Sequence, residues 1–281
     1  MHNEAQIAEW NGILGQRWVA FQPQLDRMIQ AFGEAALRAA AAQPGERVLD
    51  IGCGCGSSSL ALVQAVGPQG RVLGVDISQP MLAVARQRGA AAGAGSLSFS
   101  EADASAIELP AGQDLLFSRF GLMFFDAPAA ALRHLRGALR AGGRCAFVCW
   151  RAPRDNPWAM APLMAARQAL GITPPPADPL APGPFAFADD ARLHGLLAEA
   201  GFDGIEVQRF DAPIHLGSSA RDAAAHSLQI GPVSRLAGEA GPAQEQALIA
   251  AIEHALAPHA AADGSVSLTG STWVVRATNV V

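Results

Sequence analysis

From residue 43 onward, short apolar runs alternate with longer stretches of helical periodicity. The run Arg47-Val48-Leu49-Asp50-Ile51 precedes a helical stretch from Ser57 to Val66, and a second apolar run covers residues 71–75. Continuous aliphatic runs of this length are typical of strands buried on both faces, and the stretches between them are typical of crossover helices. The alternation therefore predicts right-handed βαβ units that build a parallel sheet.

The same pattern continues to the end of the chain and predicts seven strands. A helix is predicted over residues 79–91 with Ser78 as its N-cap, and another over residues 128–140, ended by Gly142 and Gly143. Residues 152–188 are rich in proline, including Pro174-Pro175-Pro176, which predicts an irregular excursion. The remaining predicted strands cover residues 97–100, 114–118, 144–149, 205–210 and 272–276, and two helical patterns cover 220–230 and 243–257.

This pattern also predicts the domain organisation. A helical stretch over residues 25–42 precedes the sheet, so residues 1–42 are expected to form an amino-terminal helical lid segment. Residues 43–281 are expected to form the main domain, with insertions on the substrate side at about 151–188 and 211–264. Long insertions in compact domains are usually functional or disordered.

Composition narrows the range of functions. Half of the 281 residues are hydrophobic, which suits one sizeable core. The formal net charge is −5 and the arginines are not clustered, so a nucleic-acid partner is disfavoured and a small molecule is favoured. The chain contains neither lysine nor tyrosine, which excludes a Schiff-base lysine and a catalytic tyrosine.

The lengths of the apolar runs and the spacing of the cysteines predict where the protein is located and whether it binds a metal. No apolar stretch is long enough to span a bilayer, and residues 1–4 do not resemble the start of a signal peptide, so we expect a cytoplasmic protein. The four cysteines form two close pairs, Cys53 with Cys55 and Cys145 with Cys149, whose spacing does not match a zinc site. We expect buried, reduced thiols and no metal. A homodimer is permitted but not required.

A glycine-rich turn follows the first predicted strand. Its glycines, Gly52, Gly54 and Gly56, form the pattern G-x-G-x-G, whereas a dinucleotide fingerprint requires a glycine at the position of Ser57. Asp50 lies two residues before this turn, where a carboxylate would repel a pyrophosphate and attract an ammonium or sulfonium group. The turn therefore favours S-adenosylmethionine over a dinucleotide.

Further polar side chains follow the next strands. Asp76 ends the second strand, where its carboxylate can accept hydrogen bonds from both hydroxyls of a ribose. Asp103 follows the third strand, where it can accept from an adenine amino group. Ser118-Arg119-Phe120 ends the fourth strand, beside the switch point at which such sheets bind ligands.

Four segments together, residues 48–56, 74–77, 101–103 and 139–143, resemble the ordered motifs of class I S-adenosylmethionine-dependent methyltransferases. The resemblance is strongest to bacterial small-molecule enzymes of quinone biosynthesis and natural-product pathways. It implies a Rossmann-like doubly wound α/β fold with a seven-stranded sheet of order 3-2-1-4-5-7-6, whose seventh strand is antiparallel, and helical lid insertions. The cofactor implied is S-adenosyl-L-methionine.

The resemblance also assigns positions along the cofactor. It implies that the methionine moiety lies along Asp50, Gly52 and Gly54, and that the ribose lies at Asp76 and Ile77. The adenine is implied to lie at Asp103 and Ala104. The complete set of predicted cofactor-binding residues is Asp50, Gly52, Cys53, Gly54, Asp76, Ile77, Met81, Asp103, Ala104, Ser118, Arg119 and Phe120.

The acceptor site is predicted from the tryptophans. Trp18 precedes the sheet, while Trp150-Arg151 and Asn156-Pro157-Trp158 follow the fifth strand at the ligand-binding edge. Because tryptophan offers a large flat surface with one donor, these positions favour an apolar, planar acceptor. The predicted substrate residues are Trp18, Trp150, Arg151, Asn156 and Trp158, whereas Trp273 alternates with Val275 and is expected in the core.

Methyl transfer from a sulfonium mainly requires alignment and exclusion of water, so no metal is needed. A general base is needed only for an acceptor that must lose a proton, and His226 is the candidate. Residues 118–125 do not reproduce the motif expected of quinone-pathway enzymes, which leaves a quinone acceptor in question. The alternatives are a nicotinamide-dependent oxidoreductase and a non-catalytic module that binds S-adenosylmethionine.

Overall fold

The computed structural model describes residues 3–173, 178–237 and 241–280. Its seven strands are β1 Arg47–Ile51, β2 Arg71–Asp76, β3 Leu97–Glu101, β4 Gln113–Arg119, β5 Leu139–Trp150, β6 Asp203–Gly217 and β7 Val266–Thr278. The helices before and between the first five strands are α1 Glu4–Asn11, α2 Ile13–Ala20, α3 Gln22–Ala40, α4 Ser57–Val66, α5 Gln79–Ala91 and α6 Pro128–Arg136. The later helices are α7 Pro157–Leu170, α8 Asp190–Glu199, α9 Ala220–Gln229, α10 Val233–Ala237 and α11 Pro242–Leu256.

The strands form one sheet of order β3-β2-β1-β4-β5-β7-β6. The first five strands run parallel to one another, and β7 pairs antiparallel with both β5 and β6. The expected order and the antiparallel seventh strand are therefore confirmed. In this arrangement the carboxyl ends of β1, β2, β3, β4 and β5 share one edge of the sheet, where open α/β sheets bind their ligands. None of the helices built from the described residues has the length and apolar character needed to cross a membrane.

The prediction that a helix runs to residue 140 is wrong. The helix α6 ends at Arg136, and β5 already begins at Leu139, which pairs with Gln113 of β4. The Arg140 Nε donates to Asp114 Oδ1 at 2.6 Å, so this segment is held on the sheet by tertiary contacts. Gly142 and Gly143 consequently lie within the strand and do not end a helix.

The expected irregular excursion contains a regular helix, α7. Pro157 occupies the first helical turn, where its missing N–H removes no intrahelical bond, whereas Pro162 lies inside the helix. Asn156 fixes the start of this helix to the sheet, because its Oδ1 accepts from Ser271 N at 2.8 Å and its Nδ2 donates to Ser271 O at 3.1 Å. The run Pro174-Pro175-Pro176 lies outside the described residues.

The predicted capping role of Ser78 is also corrected. Ser78 does occupy the residue before α5, but its side chain makes no capping hydrogen bond. Its Oγ donates instead to the carbonyl of Trp10 at 2.8 Å, which joins the amino-terminal helices to the edge of β2. The Ser78 hydroxyl therefore makes a tertiary hydrogen bond to α1 in place of a local hydrogen bond to the first turn of α5.

Helix α3 packs across β5, β6 and β7, with Phe32 fully buried at the centre of the contact. The Phe32 ring lies edge-on to three other aromatic rings, with centroid distances of 6.3 Å to Phe120, 5.3 Å to Trp150 and 5.8 Å to Phe210. Gly270 of β7 accommodates this ring, since a Cβ built there would lie 2.7 Å from Phe32 Cζ. Phe32 thus ties α3 to the ligand-binding edge of the sheet.

We expect Phe32→Ala to lower the free energy of unfolding by about 3–5 kcal/mol, because the surrounding rings cannot close the space left behind. Urea denaturation followed by tryptophan fluorescence measures the change. Ile13→Ala, at a side chain that is 69% exposed, is the control and should change stability by less than about 0.5 kcal/mol. A loss below about 1 kcal/mol in Phe32→Ala would contradict the packing described.

Candidate functional site

A cavity of about 530 Å³ lies against the carboxyl ends of β1, β2 and β4. Residues at the strand ends form its floor, and residues of α1, α2, α7, α9 and α10 form its walls and roof. The exposed lining is mostly apolar. The cavity therefore combines the sheet edge expected to bind a cofactor with the added helices expected to form a lid.

The turn after β1 forms one side of the cavity. Gly52, Gly54 and Gly56 have φ angles of 67°, 54° and 80°, which lie in the left-handed region that glycine adopts without strain. A Cβ on Gly52 would lie 2.8 Å from the Cα of Gly121 after β4, so the two backbones touch. The turn accordingly places two residues without side chains, Gly52 and Gly54, in the cavity lining.

Asp76 lies at the end of β2 beside this turn. Its Oδ2 accepts from Gly54 N at 2.7 Å and its Oδ1 accepts from Ser78 N at 2.8 Å. Each oxygen keeps a further lone pair, and the residue lines the cavity. Burial raises the pKa of the Asp76 carboxyl above its ordinary value. The backbone donors fix its orientation at the edge of the sheet.

Asp50 lies beneath the turn and is absent from the cavity lining, although the sequence favoured it as a cofactor residue. Its Oδ2 accepts from the hydroxyls of Ser58 at 2.7 Å and Ser59 at 2.6 Å, while its Oδ1 has no hydrogen-bond partner. The side chain is fully buried, and burial raises its pKa to about 6. In this position Asp50 links the start of α4 to β1.

Asp103 lines the cavity and is joined to the amino terminus. Its Oδ1 accepts from Ser105 N and Oγ, and its Oδ2 accepts from Asn3 Nδ2 at 2.8 Å. Asn3 is almost completely buried and also exchanges hydrogen bonds with Asp126, at 2.7 and 2.9 Å. Sequence reasoning missed Asn3, because nothing in the chain around it forms a motif.

A cluster of opposite charges lies between β4 and α3. Arg119 Nη2 is 3.1 Å from Asp26 Oδ1, and Arg88 is 3.5 Å from Asp26 Oδ2. The Ser57 hydroxyl also donates to Asp26, and the pKa of Asp26 is lowered despite burial by these arginines and this hydroxyl. Asp26 and Arg119 both line the cavity, although only Arg119 was predicted. Asp26 was missed because its partners are distant in sequence.

Stacked aromatic rings form another wall. Phe120 has a φ of 60°, which is unusual for a residue with a side chain, and its ring stacks on Trp150 with centroids 4.4 Å apart at 13°. Trp158 lies 5.0 Å from Trp150. Trp10 meets the edge of Trp18 at 5.9 Å on the amino-terminal side. All five of these residues line the cavity.

Three predicted residues are placed behind the cavity wall. Ser118 donates to the Ile51 carbonyl at 2.7 Å and accepts from Gly121 N, so it joins the ends of β4 and β1. Arg151 pairs with Asp155 at 3.2 Å and Asp211 at 3.0 Å, outside the lining. Asn156 anchors α7 as described above and also accepts from Trp158 Nε1 at 3.1 Å. Their contacts position the residues that do face the cavity.

His226 lines the cavity but is occupied by neighbouring groups. Its Nδ1 lies 3.2 Å from the Leu216 carbonyl, and its Nε2 lies 3.5 Å from Asp222 Oδ1 on the same helix. Contact with the carbonyl requires a proton on Nδ1, which leaves Nε2 as the acceptor. The predicted residues that line the cavity are Gly52, Cys53, Gly54, Asp76, Ile77, Met81, Asp103, Ala104, Arg119, Phe120, Trp18, Trp150, Trp158 and His226.

A comparison with protein families matches residues 48–143 to a family described as "Methyltransferase domain". The chain is 30% identical to a nocamycin O-methyltransferase of Saccharothrix syringae, over 64% of this chain and 67% of that protein. It is 38% identical to an aklanonic acid methyltransferase of a Streptomyces strain, over 37% of this chain and 48% of that protein. A 2-phytyl-1,4-naphthoquinone methyltransferase of Synechococcus elongatus is 35% identical, over 42% of this chain and 52% of that protein. The match thus spans two thirds of the first relative and about half of the others.

Solved structures share the fold. The YcgJ protein of Bacillus subtilis superposes with a TM-score of 0.57 at 18% identity, over 86% of this chain and 95% of that chain. The [4+2]-cyclase SpnF superposes with a TM-score of 0.56, at 18% identity over 95% of both chains. A Haemonchus contortus phosphoethanolamine N-methyltransferase solved with S-adenosylhomocysteine gives 0.54 at 18% identity, over 89% of this chain and 52% of that chain. At these identities the likeness concerns the fold.

The raised pKa of Asp50 predicts an effect of pH on stability. Because the native carboxyl binds its proton more tightly than the unfolded one, its contribution is complete below about pH 4 and is lost as pH rises through about 6. Asp50→Asn lacks this loss. Its free energy of unfolding relative to the wild type should rise by about 2 kcal/mol between about pH 4.5 and 7.5 without cofactor, measured by urea denaturation.

Asp114→Asn is the control for this measurement. The pKa of Asp114 is lowered, despite partial burial, by hydrogen bonds from Arg47 N and the Arg140 side chain, so its stabilising effect is present above the ordinary carboxyl pKa and is lost only as pH falls below it. This variant should show no rise over the same range. If the free energy of unfolding of Asp50→Asn relative to the wild type also did not change with pH, the Asp50 carboxyl of the wild type would titrate like an exposed one.

Proposed function

The chain belongs to the class I S-adenosylmethionine-dependent methyltransferases, and from this premise we propose that its cavity binds the cofactor against the sheet edge and an apolar, ring-bearing small molecule against the aromatic wall. One observation carries the proposal: a single cavity is lined by carboxylates at the ends of β2 and β3 and by stacked aromatic rings beyond β4 and β5. The acids suit the cofactor, and the rings suit the acceptor.

The residues at the sheet edge fit S-adenosyl-L-methionine. The glycine turn lines the cavity, and Gly52 and Gly54 have no side chain that would keep a ligand from the main chain. The turn is also packed closely on α5, since a Cβ on Gly54 would lie 2.8 Å from Met81 Cε. Asp76 is oriented by two backbone N–H groups and retains lone pairs for the ribose hydroxyls. Asp103 and Ala104 border the part of the cavity we assign to the adenine. Asp50 acts from beneath, by holding the turn.

Arg119 and Asp26 supply complementary charges for the amino-acid end of the cofactor. An α-ammonium and an α-carboxylate require one acid and one base at close range. These two side chains form such a pair at 3.1 Å on the cavity wall, next to Cys55 of the glycine turn. We assign the cofactor's ammonium to Asp26 and its carboxylate to Arg119.

When bound, the cofactor supplies an electrophilic methyl group on a sulfonium. The chain contributes alignment and a dry environment, because the leaving thioether is neutral and needs no acid. Phe120 and Trp150 stack at the ends of β4 and β5 and provide a flat surface on which an acceptor ring is held. His226 Nε2 is the group we propose for accepting a proton from an acceptor that must lose one, with Asp222 stabilising the charged ring.

We assign residues 1–42 and the elements around α9 and α10 to a lid. Arg17 Nη1 donates to the Ser234 carbonyl at 2.6 Å, and Glu9 pairs with Arg235, so α1 and α2 are fastened to α10 above the cavity. Asn11 donates to the Ile77 carbonyl at 2.8 Å and so fastens the same helices to the cofactor edge. Closure of this kind excludes water from a reactive methyl.

The proposed acceptor is a small molecule and not a nucleic acid. The net charge of −5 and the apolar lining support this assignment. A relative named for a naphthoquinone is consistent with a ring system. The four unpaired, buried cysteines support the predicted cytoplasmic location. A homodimer stays a prediction.

The likeness to a [4+2]-cyclase makes direct turnover the essential test of the proposed activity. Release of S-adenosylhomocysteine should depend on an acceptor drawn from hydroxylated naphthalenes, naphthoquinones and ring carboxylic acids. Binding of S-adenosylmethionine without any such release would favour a non-catalytic module. Binding of NADH in its place would favour an oxidoreductase.

We expect Asp76→Asn to weaken S-adenosylmethionine binding by about 10- to 100-fold in isothermal titration, because a charge-assisted hydrogen bond contributes about 1.5–3 kcal/mol. Glu101→Gln is the matched control: Glu101 pairs in register with Asp76 at the same sheet edge, but it is exposed and outside the cavity. Equal affinities for the two variants would refute the ribose assignment.

We expect Trp158→Ala to raise the acceptor KM by about tenfold or more while leaving S-adenosylmethionine affinity within twofold of the wild type. The reason is that Trp158 contributes aromatic surface to the acceptor side, where burying a side chain of this size stabilises a complex by at least about 1.5–3 kcal/mol. Trp158→Phe keeps an aromatic ring, and its acceptor KM should lie between those of the wild type and Trp158→Ala. Loss of S-adenosylmethionine affinity in Trp158→Ala would mean that Trp158 lies on the cofactor side of the cavity and not on the acceptor side.

A further inference from the structure

The basic side chains that line the cavity differ in their partners. Arg119 pairs with Asp26, Arg235 pairs with Glu9, and His226 lies beside Asp222. Arg17 donates to a carbonyl, and Arg167 has no ion-pair or hydrogen-bond partner for its side chain among the described residues. Two lining guanidinium groups therefore lack a carboxylate.

The acidic side chains of the lining are already engaged. Asp26 is held by two arginines, Asp76 accepts from two backbone N–H groups, and Asp103 accepts from Asn3 and Ser105. All three lie on the side assigned to the cofactor. The side lined by α7 thus carries positive charge that no acid of the described residues neutralises.

Arg167 occupies a defined position relative to the aromatic wall. Trp158, Ala159, Pro162, Leu163 and Arg167 all line the cavity, so one face of α7 forms a continuous wall that is apolar until its last turn. At a rise of about 1.5 Å per residue, the nine residue steps from Trp158 to Arg167 cover about 14 Å. This length matches a system of about three fused rings with a substituent at its far end.

We propose that the acceptor is an anion, with rings that lie along Trp158 and Leu163 and a carboxylate or a comparably charged group that pairs with Arg167, remote from the atom that receives the methyl. This inference rests on the proposed acceptor cavity and specifies the substrate class. A half-buried guanidinium bordered by apolar surface binds an anion more strongly than an exposed one, because less water screens the pair.

Two fluorescent probes of nearly equal shape test the charge without requiring the natural acceptor. 8-Anilinonaphthalene-1-sulfonate is anionic and N-phenyl-1-naphthylamine is neutral, and both emit strongly in apolar sites. Their dissociation constants would be measured with the full chain saturated with S-adenosylhomocysteine. We expect Arg167→Gln to weaken the anionic probe by about tenfold and the neutral probe by less than twofold, with Arg167→Lys intermediate for the anion.

Arg154→Gln is the control variant, because Arg154 is exposed and outside the cavity lining, and it should change neither constant. An equal effect of Arg167→Gln on both probes, or no effect on either, would overturn the inference. If Arg167 only stabilised the carboxyl end of α7, Arg167→Gln would lower the melting temperature and leave the ratio of the two dissociation constants unchanged.

Failure of the broader proposal gives a different result. Trp158→Ala should weaken both probes if they occupy the acceptor cavity. Binding that is insensitive to Trp158 would mean that the proposed acceptor cavity is wrong, and the inference about Arg167 would then fall with it. Binding of the neutral probe that depends on Trp158, together with an unselective effect of Arg167→Gln, would reject the anionic acceptor alone.

Discussion

The close contact between Gly52 and Gly121 is the constraint on which the site depends. These glycines follow neighbouring parallel strands, β1 and β4, and a Cβ on Gly121 would lie 2.7 Å from the Ile51 carbonyl. The contact brings the glycine turn and the end of β4 together on one side of the cavity. It also requires the chain to turn sharply after β4, and Phe120 takes up that turn with its positive φ and stacks on Trp150. One backbone contact thus arranges both the glycine turn and the aromatic rings of the cavity lining.

Polar side chains close the cavity at positions far apart in sequence. Asn3 joins the amino terminus to Asp103 and Asp126, and Asn11 joins α1 to the carbonyl of Ile77. Buried amides of this kind are favourable only when their donors and acceptors are satisfied, so the amino-terminal helices have few alternative positions. The amino-terminal helices are therefore held over the cavity by hydrogen bonds to residues at the sheet edge.

Charge is distributed unevenly over the cavity. Carboxylates lie at the strand ends, where we propose that the cationic cofactor binds, while Arg17 and Arg167 lie on α2 and α7 and have no acidic partner among the described residues. Since fold and cofactor are shared across a large family, chemical selectivity is expected on such added elements. The helix α7 is such an added element. Asn156 fixes its start to β7, and its apolar face lines the cavity as far as Arg167.

The sequence by itself determined the order of the strands in the sheet and the family to which the chain belongs. Strand periodicity, the spacing of Gly52, Gly54 and Asp76, and the resemblance to a family are local signals, and each depends on residues that are neighbours in the chain. Only the tertiary structure decided how Ser78, Leu139 and Arg119 are used, because their partners, Trp10, Gln113 and Asp26, are remote in sequence. It also decided that Asp50 lies beneath the turn, that α7 is a helix despite its prolines, and that Arg167 lines the cavity without a side-chain partner among the described residues. Such outcomes depend on which surfaces meet when the chain packs, and no local pattern encodes that.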